Sequence, residues 1–359
     1  MIRNIFRQPV PPLLGVDLST SSVRLLALAE VSSGYQVETC VEGRLPSGAV
    51  LDGATGMIEP VSEVIATVLR RSGSKRGHAA VAVPGSQVIS RQISMPVTFT
   101  DADIEQQITL ESDQFIPYPL DDVYFDFVVL GPNVRNPQTA DVLLIVARNE
   151  IVDRRVDALA AAGLAAAVVD VEAYALESAF PLIAPGLPRA ARDGITAMVD
   201  VGGASTTLNV LQKGSTVFTR EQSFGGEQLL QQLQDRYEMT AADALAALES
   251  RNLPADGEAM VVAPFIDSLA SQVGRLLQVF FSATGATTLD QVVLSGGCAG
   301  LPGVADAVAQ YLGIDTQVGN PLVGLQFASG LDAARLRSTG HAWMIAAGLA
   351  MRSMSDVSR

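Results

Sequence analysis

Soft metal ligands are scarce in this chain. Its 359 residues hold two cysteines, Cys40 and Cys298, and two histidines, His78 and His341. No zinc-type spacing can be assembled from four residues so far apart, and no Cys–His pair is adjacent in sequence. A disulfide framework is equally unsupported, which fits a reducing compartment. Basic clusters are scarce too. The formal charge is −14, and no Lys/Arg cluster supplies the positive face of a phosphate-tracking nucleic-acid binder, so nucleic acid is not an expected partner. The opening "MIRNIFRQPVPPLLG" lacks a long apolar segment and a small-residue cleavage site. It reads as neither signal peptide nor membrane span, and Ile2, Ile5 and Phe6 read as a frayed terminus rather than an interfacial foothold. The Walker pattern G-x-x-x-x-G-K-[ST] is missing, as are the kinase signatures and any G-x-G-x-x-G that follows a strand and opens a helix.

What is present is a folded, core-rich composition, 48% hydrophobic against 17% charged, in a chain long enough for two domains. Residues 55–71 have Ile58, Val61, Ile65 and Leu69 on one helical face, between strands that include "GVDLS", "SVRLLALAEV" and "HAAVAVPG". From about residue 87 to 164 the pattern becomes strand, helix, two strands, helix. This predicts a small inserted α/β unit whose first helix, 100–116, is capped by Thr100 or Asp101. The Pro/Gly-rich segment 184–194 reads as a linker. After it come three strands, helices over 227–250 and 263–285, the strand and turn "QVVLSGGCAGLPG", and a closing helix.

The strongest signal is a repeat. "GVDLSTSSVRLL" (15–26) and "VDVGGASTTLNV" (199–210) are each a strand, an aspartate, a small-residue turn and a second strand. Asp17 and Asp200 lie 183 positions apart, 200 minus 17, and at that offset Ser22 meets Ser205 and Leu25 meets Leu208. Two halves that open alike imply two related domains facing across a cleft. Hairpin tips built from Gly, Ser and Thr aim backbone N–H groups into one concavity, an anion site. The aspartates cannot bind phosphate, but they can hold Mg²⁺ through water, and Mg²⁺ bridges phosphate oxygens. Arg24 adds a charge near the first tip. For a single copy, a tight turn with an Asx-type bond is the better reading. Two copies, with further glycine pairs at Gly225–Gly226 and Gly296–Gly297, favour a polyphosphate clamp.

These motifs resemble the phosphate-1, phosphate-2 and adenosine motifs of the actin-like ATPase superfamily. The insert at 87–164 sits where FtsA carries its extra subdomain rather than where actin carries its own. "LESDQFIPYPLDDVYFDF", "VVDVEAYALE", "TREQSFGGEQL" and "MIAAGLAMRS" are similar to segments of the PilM family of type IV pilus assembly. The resemblance implies a two-lobed, ribonuclease-H-like α/β fold. Its first domain would comprise 1–86, 165–190 and 335–359, with 87–164 inserted. A second domain would span 191–334, with helices over about 226–285. It also implies ATP or ADP with Mg²⁺ in the cleft. Asp17 and Asp200 would organise the metal. Ser19, Thr20 and Ser21 would form one phosphate loop, and Gly202, Gly203 and Ser205 the other. Gly226 and Glu227 would face the ribose, and Gly296 and Gly297 the adenosine. Glu227 stands where a lysine or other polar residue is familiar, and Leu230 where a threonine is common, which bears on nucleotide preference.

The family further implies docking of the cytoplasmic N-terminus of the membrane protein PilN in a groove of the insert, for which Phe115, Ile116, Tyr118 and Leu120 are the candidates. The protein is then expected to be cytoplasmic and peripheral on the inner-membrane face through that partner, with other pilus proteins or a second copy as further partners. Nucleotide binding is expected rather than efficient turnover. Glu172 is the candidate for orienting an attacking water, and Asp170, placed two residues earlier on what reads as the same strand face, is the alternative. The rival readings are an FtsA-like filament former and a small-molecule kinase of the same superfamily. The four soft ligands read as structural or incidental, Trp343 as a core anchor, and "RSGSKRG" as a solvated loop, although on an acidic protein it could face anionic lipid.

Overall fold

A computed structural model describes residues 11–354 apart from 47, 50, 52–56 and 134. The terminal reading at Ile2, Ile5 and Phe6 lies outside the described residues. In the first lobe, β1 (Leu14–Leu18), β2 (Ser22–Val31) and β3 (Gly34–Arg44) form an antiparallel meander. Helix α1 (Ile58–Ser72) then returns the chain to β4 (His78–Val83), parallel to β1. Val61, Ile65 and Val68 of α1 pack on alternate, fully buried residues of β1 and β2, as the helical spacing requires.

The insert follows: β5 (Val88–Pro96), α2 (Asp101–Leu110), the short α3 (Ser112–Phe115), β6 (Val123–Pro132) and β7 (Thr139–Arg148). Its sheet order is β5-β7-β6, and its core is Ile93, Ile104, Ile108, Ile116, Val142 and Leu144 with their neighbours. Thr100 is the N-cap of α2, and Asp103 completes a capping box. The helix read over 100–116 breaks at Glu111, whose backbone leaves the helical region. The sequence reading also carried the insert through 164. Instead α4 (Asn149–Ala161) packs on the first lobe, with Ala158 and Leu159 against the α1 face. Its other apolar residues, Ile151, Val152 and Val156, cluster with Val83 and Val171 of that lobe and also with Tyr124 and Ala147 of the insert.

The chain re-enters the first sheet as β8 (Ala165–Val171), followed by α5 (Glu172–Ile183) and α6 (Arg189–Asp193). The segment 184–194 is not a free linker. Leu187 and Ala191 are buried with Leu176 and Phe180 of α5 against Met198, Leu211 and Val293 of the second lobe.

The second lobe repeats the first: β9 (Ile195–Val201), β10 (Thr206–Gln212) and β11 (Ser215–Gln222) form an antiparallel meander. Helices α7 (Gly226–Tyr237), α8 (Ala241–Ser250) and α9 (Ala263–Thr284) precede β12 (Gln291–Ser295), parallel to β9. The continuous helix read to Ser250 is two helices, because Glu238 takes a left-handed C-cap and Thr240 starts anew by accepting the Asp243 amide. Residues 258–284 are apolar and long enough to cross a membrane, but Phe265, Leu269, Val273, Leu276 and Phe280 are core residues of this lobe. Then come α10 (Val304–Leu312), β13 (Thr316–Val318), β14 (Gln326–Phe327), α11 (Ala333–Ser338) and α12 (Met344–Met351).

Among the described residues the two sheets run β14-β3-β2-β1-β4-β8 and β11-β10-β9-β12-β13. Apart from β14 they share one topology, so the repeat seen at two aspartates extends to whole lobes. Strand β14 pairs with β3, so the chain returns to the first sheet before residue 335. Helix α12 covers that sheet beside α5. Gly348 allows the contact, since a Cβ there would lie 1.7 Å from the Ala175 carbonyl oxygen. Trp343 is buried beneath, as expected.

Asp170, the alternative to Glu172, points elsewhere. It is 5% exposed on β8 and takes a bidentate pair from Arg352 at 2.5 and 2.7 Å. Glu172 is the first residue of α5, so the two do not share a strand face. Asp170→Ala, which leaves the Arg352 guanidinium without this carboxylate, is expected to cost about 3–5 kcal/mol. Urea denaturation with an unchanged m-value checks this.

Candidate functional site

Each lobe brings its aspartate to the end of a central strand. Asp17 on β1 stands opposite Arg24 on β2, and the Arg24 guanidinium reaches Asp17 at 3.2 Å and Glu42 at 2.9 Å. Its two terminal nitrogens are thus engaged by carboxylates, while its buried Nε has no hydrogen-bond partner. The turn between these strands is closed from within. Ser19 Oγ accepts the amides of Ser22 and Ser21 at 3.0 and 3.3 Å, while Ser21 is exposed at the tip. Thr20 differs from both, because its hydroxyl is buried without a hydrogen-bond partner.

In the second lobe Asp200 on β9 accepts the Ser295 hydroxyl at 2.7 Å. The Gly202 amide donates to the Ser205 carbonyl at 2.9 Å, which closes the turn. Behind this tip, the first amides of α7 are already used: Gly226 and Glu227 donate to the carbonyls of Gly202 and Gly203 at 3.0 and 2.9 Å. The third glycine turn packs alongside, with Cys298 Sγ 3.8 Å from the Gly202 carbonyl. Gly296, ahead of Gly297, has φ +88°, and a Cβ there would lie 2.4 Å from the Val201 carbonyl.

The two tips meet. A Cβ built on Gly203 would lie 2.6 Å from Thr20 Oγ1 and 3.4 Å from Glu227 Oε1. The residues read from sequence as two phosphate loops and a helix start are thus one constellation, closed at its centre. The carboxylates beneath it interact. Burial pushes Asp17 above the ordinary carboxylate value, with the Arg24 charge opposing. Burial raises Asp200 to about 6, which its Ser295 bond partly offsets and the Asp17 charge adds to. Glu172 is pushed up to about 8 by burial and by the nearby charges of Asp17, Glu221 and Asp200. It therefore lies within electrostatic reach of both lobes' acids.

Several residues that sequence reasoning passed over hold this arrangement. The backbones of Gly296 and His341 are joined by the Gly296 amide, and His341 Nδ1 lies 2.9 Å from the Gly296 oxygen, so that nitrogen carries the proton. Asn209 Nδ2 donates across the lobes to the Ala173 carbonyl at 2.7 Å, next to Glu172. Glu221 accepts the Ser86 amide at 2.8 Å, in the turn leading into the insert. Its register could have been read, since Asp200, Thr207 and Glu221 face one another across β9, β10 and β11. The cross-lobe bonds had no local signal.

On the insert, Ile116 is 3% exposed and belongs to the small core. Phe115 and Leu120 are half-buried against that core, and Tyr118 is 43% exposed. Arg91 lies over the Phe115 ring and Arg148 over the Tyr118 ring.

A family model described as type IV pilus assembly protein PilM matches residues 15–354. The chain belongs to the PilM family. The solved PilM–PilN type IV pilus biogenesis complex is similar at a TM-score of 0.82 and 22% identity, over 97% of this chain and 100% of that one. The ethanolamine utilization protein EutJ from Carboxydothermus hydrogenoformans is similar at a TM-score of 0.55 and 20% identity, over 97% and 94%. The fold is that of the actin-like ATPases, as the paired lobes indicate.

The raised carboxyls set a pH dependence. A carboxyl with a folded-state value above its unfolded one binds protons more tightly when folded. Its contribution is full below the unfolded value and is lost as pH rises through the folded one. For Glu172 that window runs from its ordinary value of 4.5 to about 8. The melting temperature of the metal-free protein is expected to fall as pH rises from about 4.5 to about 8, and to fall less in Glu172→Gln. Parallel profiles for the two proteins would contradict this.

Proposed function

We propose that this member of a type IV pilus assembly family binds ATP or ADP with Mg²⁺ between its paired turns. It then serves as a cytoplasmic platform that docks the N-terminal peptide of a PilN-type membrane protein. The observation that carries the nucleotide reading is the meeting of Thr20 and Gly203 from two equivalent hairpins, with Asp17 and Asp200 buried beneath. Around them, Ser19, Ser21, Gly202 and Ser205 shape the phosphate loops, and Gly226, Gly296 and Gly297 offer small surfaces on the base side. Among the described residues no three His, Cys, Asp or Glu side chains form a metal-holding group. The donor set nevertheless fits Mg²⁺ held largely through water: hard carboxylate oxygens from two sides, and a buried Thr20 hydroxyl in want of a partner. A bound Mg²⁺ would supply the positive charge that brings phosphate oxygens beside these acids.

In the metal-free protein the Glu172 carboxyl is raised to about 8 by burial and by the charges of Asp17, Glu221 and Asp200, so at neutral pH only a minor fraction is ionised and ready to take a proton from water. The nucleotide's role in this reading is to fix the angle between the lobes. Glu221 carries that angle toward the insert through its bond to Ser86. There the peptide groove is edged by Phe115, Tyr118 and Leu120, with Ile116 bracing it from the core. Attachment to the membrane is then through the partner. The solved complex in which a PilM is joined to PilN supports this choice of partner.

Calorimetric titration of Mg-ATP into protein stripped of nucleotide is expected to show binding that Asp200→Ala weakens at least about tenfold, the loss of roughly 1.4 kcal/mol. Absence of binding to the wild type would leave a peptide-docking scaffold with a vestigial cleft. A synthetic N-terminal peptide of the cognate PilN is expected to bind the wild type, with Tyr118→Ala weakening it by about tenfold or more. Equal affinities would place the groove elsewhere.

A further inference from the structure

We infer that His341 is a positioning residue for the base of the nucleotide, an inference that rests on the nucleotide reading above. The turn after β12 is the surface that a base would lie against. Among the described residues nothing lies within 4 Å of a Cβ built on Gly297, so the turn is open at that position. A Cβ on Gly226, at the start of α7, would lie 2.9 Å from Cys298 Sγ, so the helix start and the turn form one continuous wall. A flat ring can rest on such a wall only while the turn keeps its shape, and glycines do not hold a shape by themselves.

His341 holds it. The residue lies between α11 and α12, on the stretch that returns to the first sheet. The Gly296 amide donates to its carbonyl, and its Nδ1–H donates to the Gly296 carbonyl, both at 2.9 Å. The ring then continues over the far end of the turn, where a Cβ on Gly300 would lie 2.5 Å from Nε2. One side chain thus grips the turn at both ends. Burial lowers the pKa of the ring, which the Gly296 bond partly offsets and the Arg24 charge adds to. The ring is therefore neutral at pH 7, with its single N–H spent on Gly296. Its own segment is fixed from behind. A Cβ on Gly340 would lie 1.9 Å from Asn320 Oδ1, and Asn320 Nδ2 donates to the Arg337 carbonyl at 2.7 Å. The side-chain bond of His341 goes to this turn and not to the hairpin tips around Thr20 and Gly203. Removing the ring therefore loosens the base end of the site and leaves the phosphate end as it was.

The test is calorimetric titration of ATP, ADP and inorganic tripolyphosphate, each with Mg²⁺, into nucleotide-stripped wild type, His341→Ala and His341→Asn. Tripolyphosphate carries the phosphates without ribose or base, and the Asn Nδ2 can stand where the His Nδ1 stands. His341→Ala is expected to weaken ATP and ADP about five- to tenfold and to leave tripolyphosphate within about twofold, while His341→Asn recovers most of the loss. Melting temperatures report whether each variant folds. Should His341→Ala fail to fold, His341→Gln, whose amide is placed one bond too far along for Gly296, takes its place. Where tripolyphosphate does not bind the wild type, recovery of ATP affinity by His341→Asn decides alone. Unchanged ATP affinity in His341→Ala, equal weakening of ATP and tripolyphosphate, or no recovery in His341→Asn overturns the assignment while leaving the nucleotide reading intact. Failure of the wild type to bind either nucleotide overturns that reading, and this one with it.

Discussion

Burying an acid at the end of the central strand in each lobe is the constraint around which this molecule is built. Removing a carboxylate from water is costly unless it gains a partner, a proton or a cation. Asp17 is partnered by Arg24 and Asp200 by Ser295, and both stay above the ordinary carboxylate value. Glu172 joins them from the first turn of α5. Such a cluster persists only because the strands beneath it are fixed: Val16, Leu25, Val199 and Leu208 are fully buried in close-packed sheets. The core holds the acids in place, and their raised values make the cleft responsive to protons.

The surface between the lobes is built differently from the cores on either side. Helix α5 and the 184–194 segment supply its apolar part, and polar bonds supply the rest. Among these are Asn209 to Ala173, Thr216 to Glu177, Ser86 to Glu221, Gly296 to His341, and an exposed Arg44–Glu249 pair. Asn209 Oδ1, Thr216 Oγ1 and Gln222 Nε2, on β10 and β11, are buried without a partner, as is Gln87 Oε1 near Ser86. A half-satisfied polar surface favours a single arrangement less strongly than an apolar one. This is the physical setting that the proposed nucleotide role requires.

Legibility varied with how local each signal was. The hairpins around Asp17 and Asp200 and the α1 face were readable because strand alternation and helical period depend on neighbours a few residues away. The helix breaks at Glu111 and Glu238 were missed, since neither carries the glycine or proline that usually marks an end. Ile116 was placed among groove residues because apolar side chains near Tyr118 look alike in sequence whether they face inward or outward. His341 looked incidental until its partner, Gly296, was brought to it from 45 residues away.

By itself the sequence determined the doubled architecture, the family, and the small, hydroxyl and acidic residue types at the paired turns. Periodicity, turn chemistry and the spacing of two motifs are written in the chain. Tertiary structure alone decided which of those residues touch. It closed Thr20 onto Gly203, turned Asp170 away to Arg352, gave α4 to the first lobe and placed the Glu227 carboxylate over the second tip. Those outcomes depend on side chains packing across hundreds of residues, where small shifts of register or helix angle determine which groups meet.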